Sequence, residues 1–196
     1  LRNLQYPLDW KGIVEYTGLP AILKPNTGGG WKDVYKVDTM EQLLWAYDQT
    51  GTATFGQRPK TMILQEFIHW DDYIRCICIG RKHINPIRYD PTAPFHERYV
   101  VDKPVEGPLR ERAIHDAIAL TDALGYDMDT VEFAVRDGVL YAIDFLNPAP
   151  DFDSFSIKGA NFDWVLDKMS DLVIDYATGA AEPPWRKDHR WSHHIR

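Results

Sequence analysis

Glu132, Asp144 and Asn147 are three oxygen donors gathered around one short β-rich stretch. Hard cations take such donors, and magnesium is usually held by one or two carboxylates together with the phosphates of a nucleotide. A second group lies far upstream. Lys24 closes an apolar run and is followed by Pro25-Asn26-Thr27 and then Gly28, Gly29 and Gly30. Successive glycines leave backbone N–H groups free to approach an anion, and a lysine at the mouth adds a point charge. There is no Gly-Lys-Ser/Thr and no Gly-x-Gly-x-x-Gly, so neither the helix-capped phosphate loop nor the dinucleotide fingerprint is present.

The carboxylates work together only if the chain puts them on one surface. Val131 to Val135 and Val139 to Ile143 flank Arg136-Asp137-Gly138, which predicts a hairpin. A two-residue turn would pair Arg136 with Val139 and send Glu132 and Asp144 to opposite faces. A three-residue loop, with Gly138 as the left-handed residue of a bulge, pairs Val135 with Val139 instead. One face then carries Val131, Phe133, Val135, Val139, Tyr141 and Ile143; the other carries Glu132, Ala134, Leu140, Ala142 and Asp144. That division predicts the three-residue loop. The competing reading is a solvated face of an edge hairpin.

The remaining elements follow from periodicity and breakers. Asp9 to Tyr16 reads as a short helix closed by Gly18, and residues 20–25 as a buried strand returning through residues 33–37. Thr39, with Glu41 and Gln42, opens a helix to about Thr50. Residues 62–68, 73–79 and 83–88 read as strands, with another at 98–101. Residues 109–124 form the longest helix, with Arg110-Glu111-Arg112 at its solvated start; a final helix spans 162–176. This order predicts an α+β chain of two lobes hinged near residues 65–68.

At 196 residues, 44% hydrophobic and 26% charged, the composition is ordinary for a globular protein. The net charge of -7 argues against a nucleic-acid or anionic-membrane surface, and no apolar stretch is long enough to span a bilayer. Cys76 and Cys78 alternate with Ile77 and Ile79, a pattern of buried, reduced structural thiols that suits a cytoplasmic setting. The opening Leu1-Arg2-Asn3 has neither Met nor a signal pattern, so the sequence is expected to be a piece of a longer chain. The tail histidines, His189, His193 and His194, read as a solvated or partner-packed tail.

Taken in order, these stretches resemble the ATP-grasp family, most of all the branch of the ribosomal-protein glutamate ligase and related peptide-bond-forming enzymes. The resemblance runs from about Pro20 to Phe155. It rests on Ile22-Leu23-Lys24-Pro25 with the glycine loop, Leu64-Gln65-Glu66-Phe67-Ile68, Asp72-Tyr73-Ile74-Arg75, and Glu132 with Asp144 and Asn147. It implies an α+β ATP-grasp fold with the nucleotide cleft between two lobes: a small lobe at 1–66, a large lobe at 67–180 and a tail at 181–196. Lys24 would contact the α- and β-phosphates, and Gly28, Gly29 and Gly30 would close as a flap. Gln65, Glu66, Phe67 and Ile68 would hold the adenine. Asp72 would take the ribose, with Asp71 as rival. Glu132, Asp144 and Asn147 would hold magnesium, and Arg88, Arg75 and Arg98 would stabilise the transferred phosphoryl group. The family spaces its second carboxylate and Asn by two residues, whereas Asp144 and Asn147 are three apart. A bulge at Phe145-Leu146 would restore Asn147 to the face; otherwise Asp151 or Asp153 would substitute.

The implied activity is an ATP-dependent ligase that joins a carboxylate to an amine, or to a thiol, through an acyl phosphate. Its cofactors would be ATP and Mg2+, with Mn2+ as an alternative metal. Its partners would be small-molecule or peptide carboxylates and amines, without nucleic acid or membrane, and a homodimer is left open. Two other readings remain: an ATP-grasp phosphotransferase, and a non-catalytic nucleotide-binding module.

Overall fold

The computed structural model describes residues 7–27, 31–51 and 61–182. The chain divides into two compact units, Leu1–Ile68 and His69–Arg196. No helix among the described residues is long and apolar enough to cross a membrane.

In the first unit, α1 (Trp10–Thr17) is capped by Asp9, whose carboxylate accepts from the Gly12 amide at 3.0 Å, and it ends at Gly18 with φ 81°. Three antiparallel strands follow in the order β2 (Tyr35–Val37), β1 (Ala21–Pro25), β3 (Met62–Glu66). Between them α2 (Met40–Gly51) starts with a capping box: the Gln42 amide donates to Thr39, and the Asp38 amide donates back to Gln42. Alternation gives the sheet two characters. Ala21, Leu23 and Val37 are buried with Leu43 and Ala46, while Ile22 is opposite Lys36 and Gln65, and Lys24 opposite Ile63, on the other face.

The second unit is built on a five-stranded antiparallel sheet. Its order is β6 (Tyr99–Val100), β5 (His83–Tyr89), β4 (Asp72–Ile79), β7 (Met128–Arg136), β8 (Val139–Asp144). One face is mostly apolar, with Asp72, Arg88 and Asp129 as its charged residues. Ile74, Cys76, Cys78, Val131, Phe133 and Val135 bury against Ala113 and Ala117 of α3 (Gly107–Leu124). Both cysteines are free and buried there, as their spacing requires. The other face is divided across its length. At one end Ile77, Ile79 and Ile87 meet Ile157 of α4 (Ser154–Ile157) and Val165 of α5 (Gly159–Thr178). At the other end the same strands present Tyr73, Arg75, Tyr89, Thr130 and Glu132.

The β7–β8 hairpin corrects the expected register. Arg136 pairs with Val139 across a two-residue Asp137-Gly138 turn, not Val135 with Val139. Both turn residues have positive φ, 53° and 73°, which is what a two-residue hairpin turn demands and what Asp-Gly adopts readily. Val139 and Tyr141 therefore fall on the Glu132 face, and Leu140 packs with the core instead. The register alone would separate the carboxylates. A bulge prevents it: Phe133 pairs with Ala142 and Glu132 with Asp144, so Ile143 is the extra residue and parity is restored. A Cβ on Gly138 would meet nothing within 4 Å, so Gly138→Ala carries only the conformational cost of left-handed backbone. It should lower stability by roughly 1–2 kcal/mol, read as a lower denaturant midpoint at unchanged slope.

Candidate functional site

β4 and β7 place Arg75 directly opposite Glu132. The Arg75 Nη1 donates to Glu132 Oε1 and to the Tyr89 hydroxyl, both at 3.0 Å, and Nη2 donates to Thr130 Oγ1 at 3.1 Å. The Tyr73 hydroxyl donates to the second Glu132 oxygen at 2.7 Å. Arg75 and Glu132 are only 14% and 13% exposed, which makes this a largely desolvated pair. Burial pushes the Glu132 carboxyl above its ordinary range, with Arg75 opposing the rise. Burial, then Glu132, raises the Tyr73 hydroxyl far above that of free tyrosine, so it remains a donor. The guanidinium lies 5.0 Å from the Tyr89 ring centre and 5.8 Å from that of Tyr99, so it also rests on aromatic faces.

Asp144 is exposed beside Glu132. Asn147 reaches the same place by a different route from the one expected. The bulge lies at Ile143, before Asp144, and not at Phe145-Leu146. Beyond β8, Phe145 packs on the α3 side, and the Asn147 backbone amide donates to Asp129 at 3.1 Å. The Asn147 side-chain amide donates to Thr130 Oγ1 at 2.9 Å, which directs its carbonyl oxygen away from Thr130. Thr130 thus joins Arg75 to Asn147. Sequence reasoning missed it, although strand alternation puts it on the Glu132 face two residues earlier. The tyrosines Tyr73, Tyr89 and Tyr99 were missed likewise.

The other expected residues are distributed as follows. Arg88 is paired with Asp72 on the α3 side of the sheet, and the structure does not bring it to Glu132. Arg98 donates to the Ala93 carbonyl at 3.0 Å and acts on the Glu132 charge. Asp71 accepts from the Asp137 amide, which ties the strand entry to the hairpin turn. Asp153 caps α4 through the Phe155 and Ser156 amides, and Asp151 accepts from the Asp153 amide. In the first unit, Lys24 and Gln65 lie on the sheet face opposite Leu23, Glu66 pairs with Ala21, and the Phe67 amide donates to the Pro20 carbonyl. Ile68 is buried. Gly28, Gly29 and Gly30 lie outside the described residues.

Asp129 is buried, and burial raises its carboxyl to about 7. In the unfolded chain an Asp titrates near 4. The folded form binds its proton more tightly, so the stabilisation is full below about pH 4 and is lost as pH rises through about 7. Denaturation in the presence of a chelator should show stability falling by a few kcal/mol between those limits, and Asp129→Asn should flatten the fall.

No family model matches the chain. It is 26% identical over 150 residues to a formate-dependent phosphoribosylglycinamide formyltransferase of Oleidesulfovibrio alaskensis, covering 72% of this chain and 37% of that protein. Among solved structures it resembles the D-alanine–D-alanine ligase of Bacillus anthracis complexed with ATP, with TM-score 0.64 and 20% identity, over 88% of this chain and 55% of that one. It also resembles the biotin carboxylase domain of the Hydrogenobacter thermophilus 2-oxoglutarate carboxylase, in complex with MgADP, ADP and bicarbonate. There the TM-score is 0.55 and the identity 24%, over 74% of this chain and 34% of that one. The chain has the α+β ATP-grasp fold. It spans little more than a third of the formyltransferase's length.

The donor set suits magnesium. Glu132 and Asp144 are hard oxygen donors paired across two strands, Asp144 is exposed, and Asn147 is tied to Thr130 on the Glu132 face. Among the described residues no group of three His, Cys, Asp or Glu could hold a metal alone.

Proposed function

We propose that this chain is the nucleotide-binding part of an ATP-dependent ligase that joins a carboxylate to an amine through an acyl phosphate. The observation that carries the proposal is the Glu132–Asp144 cross-strand pair, made by a bulge and set beside the largely desolvated Arg75. The likeness in fold to a ligase complexed with ATP and to a carboxylase domain complexed with MgADP supports it. The ordered set of four sequence matches, from Ile22-Leu23-Lys24-Pro25 to Glu132 with Asp144 and Asn147, looks most like the branch of the ribosomal-protein glutamate ligase.

In this reading Lys24 and the glycines at 28–30 bind the phosphates, and the chain from Gln65 to Ile68 binds the base. Asp72 serves the ribose in exchange for its contact with Arg88. Glu132, Asp144 and Asn147 hold the metal, which when bound neutralises phosphate charge. A substrate carboxylate oxygen attacks the γ-phosphorus, the bond to the β–γ bridging oxygen breaks, and ADP leaves. Arg75 and Arg98 stand where negative charge accumulates on the transferred group. An amine then attacks the acyl carbon and displaces phosphate. Tyr73, raised far above physiological pH, stays protonated and keeps Glu132 oriented.

The test is incubation of the complete protein with MgATP, hydroxylamine and a panel of amino acids and dicarboxylates. Hydroxamate formed together with ADP is expected; a stable phosphorylated product would overturn the ligase reading. Lys24→Ala should weaken ATP binding by roughly 1.5–3 kcal/mol, the scale of a charge-assisted hydrogen bond, as read by calorimetry.

A further inference from the structure

We infer that Asp129 is a positioning residue for the metal site, holding Asn147 in place from the α3 face of β7; this rests on Glu132, Asp144 and Asn147 as the metal ligands proposed above. The β7–β8 ladder ends at the pair Glu132–Asp144, so Phe145, Leu146 and Asn147 lie past its last pair. Phe145 packs against the α3-side core, and Leu146 is exposed. Asn147 is then fixed by two consecutive side chains of β7. Its backbone N–H donates to Asp129 Oδ1 at 3.1 Å, and its side-chain amide to Thr130 Oγ1 at 2.9 Å. Neighbouring strand residues point to opposite faces, so the two ties reach Asn147 from the two faces of the sheet.

Packing does not account for an acid at position 129. The residue is 0% exposed, opposite Cys78 on the face that carries Val131 and Phe133, and its Oδ2 has no hydrogen-bond partner. Burying a carboxylate with one oxygen unmatched costs stability, and an apolar residue at this strand position would avoid that cost. What the side chain does supply is the single bond from Oδ1 that fixes the Asn147 backbone where no ladder can. Groups that hold a metal ligand, rather than the metal, raise affinity by setting the ligand's orientation before the cation arrives. Thr130 also accepts from Arg75 Nη2 at 3.1 Å, so a change there disturbs two groups at once. Asp129 acts from the opposite face, which makes it the cleaner position to test.

The probe is Mn2+ with saturating ADP, its binding to the complete protein read by electron paramagnetic resonance, alongside the magnesium dependence of ADP release. Asp129→Ala should weaken Mn2+ binding about tenfold and raise the magnesium half-saturation by a similar factor, with kcat at saturating metal changed far less. Asp129→Asn keeps an oxygen acceptor in the same place and should recover most of the loss. In an Asn147→Ala background, Asp129→Ala should add little, because its effect runs through Asn147; a merely structural role would add in full. If Asp129→Ala does not fold, Asp129→Val, apolar and suited to a strand, serves with the same expectation. Absence of Mn2+ binding in the wild type, or equal binding by Asp144→Asn, would overturn the metal assignment and with it this inference. A loss in Asp144→Asn with unchanged affinity in the folded Asp129→Ala or Asp129→Val, equal losses in Asp129→Ala and Asp129→Asn, or full additivity with Asn147→Ala would overturn this inference alone.

Discussion

Asp144→Asn should abolish nearly all magnesium-dependent ATP turnover while the protein remains folded. Asp144 is exposed at the end of an edge strand, so changing its charge leaves the α3-side core intact. Each Glu132 oxygen already accepts a hydrogen bond, one from Arg75 and one from Tyr73, and Arg75 offsets its charge, so the exposed Asp144 brings the larger share of unmatched negative charge to a cation. A neutral amide also binds a divalent cation less well than a carboxylate does. Asn147→Ala should cost less, because it removes one neutral ligand and a hydrogen bond to Thr130. Steady-state ADP release over a magnesium titration, in the complete protein, checks both. Near-normal turnover in folded Asp144→Asn would remove the metal assignment.

The second large effect concerns stability. Arg75→Met strips the counter-charge from Glu132, a carboxylate only 13% exposed, and removes one donor each from the Tyr89 hydroxyl and Thr130. Breaking a desolvated pair on one side costs about 3–5 kcal/mol, because the remaining charge stays buried without compensation. Adding Glu132→Gln to Arg75→Met should recover a large part of the loss, since the amide has no charge to neutralise. Urea denaturation of the two single variants and the double variant closes the cycle. If Arg75→Met unfolds at the wild-type midpoint, the pair does not hold this end of the sheet together.

Periodicity and caps made most elements legible. Asp9, Thr39, Gly18 and Gly125 mark helix ends that the structure confirms, and the alternation of Cys76 and Cys78 places both on the α3 side. The hairpin was legible as a hairpin but not in its register. Face sorting assigned Val139 and Tyr141 to the core, whereas the edge position of β8 leaves Val139 52% exposed and lets Tyr141 support Arg136. A mid-strand bulge has no signature in the residues that flank Ile143, so a correct conclusion about Glu132 and Asp144 rested on an incorrect pairing. Asp153 read as a spare ligand until α4 appeared behind it.

The extra residue at Ile143 has a bearing on how this hairpin tolerates changes of length. Elsewhere in the paired part of β7 or β8, losing one residue reverses the facing of everything between the loss and the strand's end, and parts Glu132 from Asp144. At Ile143 the loss would merely close a gap in the ladder: Ala142 would still oppose Phe133, and Asp144 would still oppose Glu132. Position 143 is therefore where a sister sequence can be one residue shorter between its turn and its second acid and yet keep both carboxylates together. Alignments of this region should admit a gap there, and single-residue deletion scanning should find at that position the mildest loss of turnover in the hairpin.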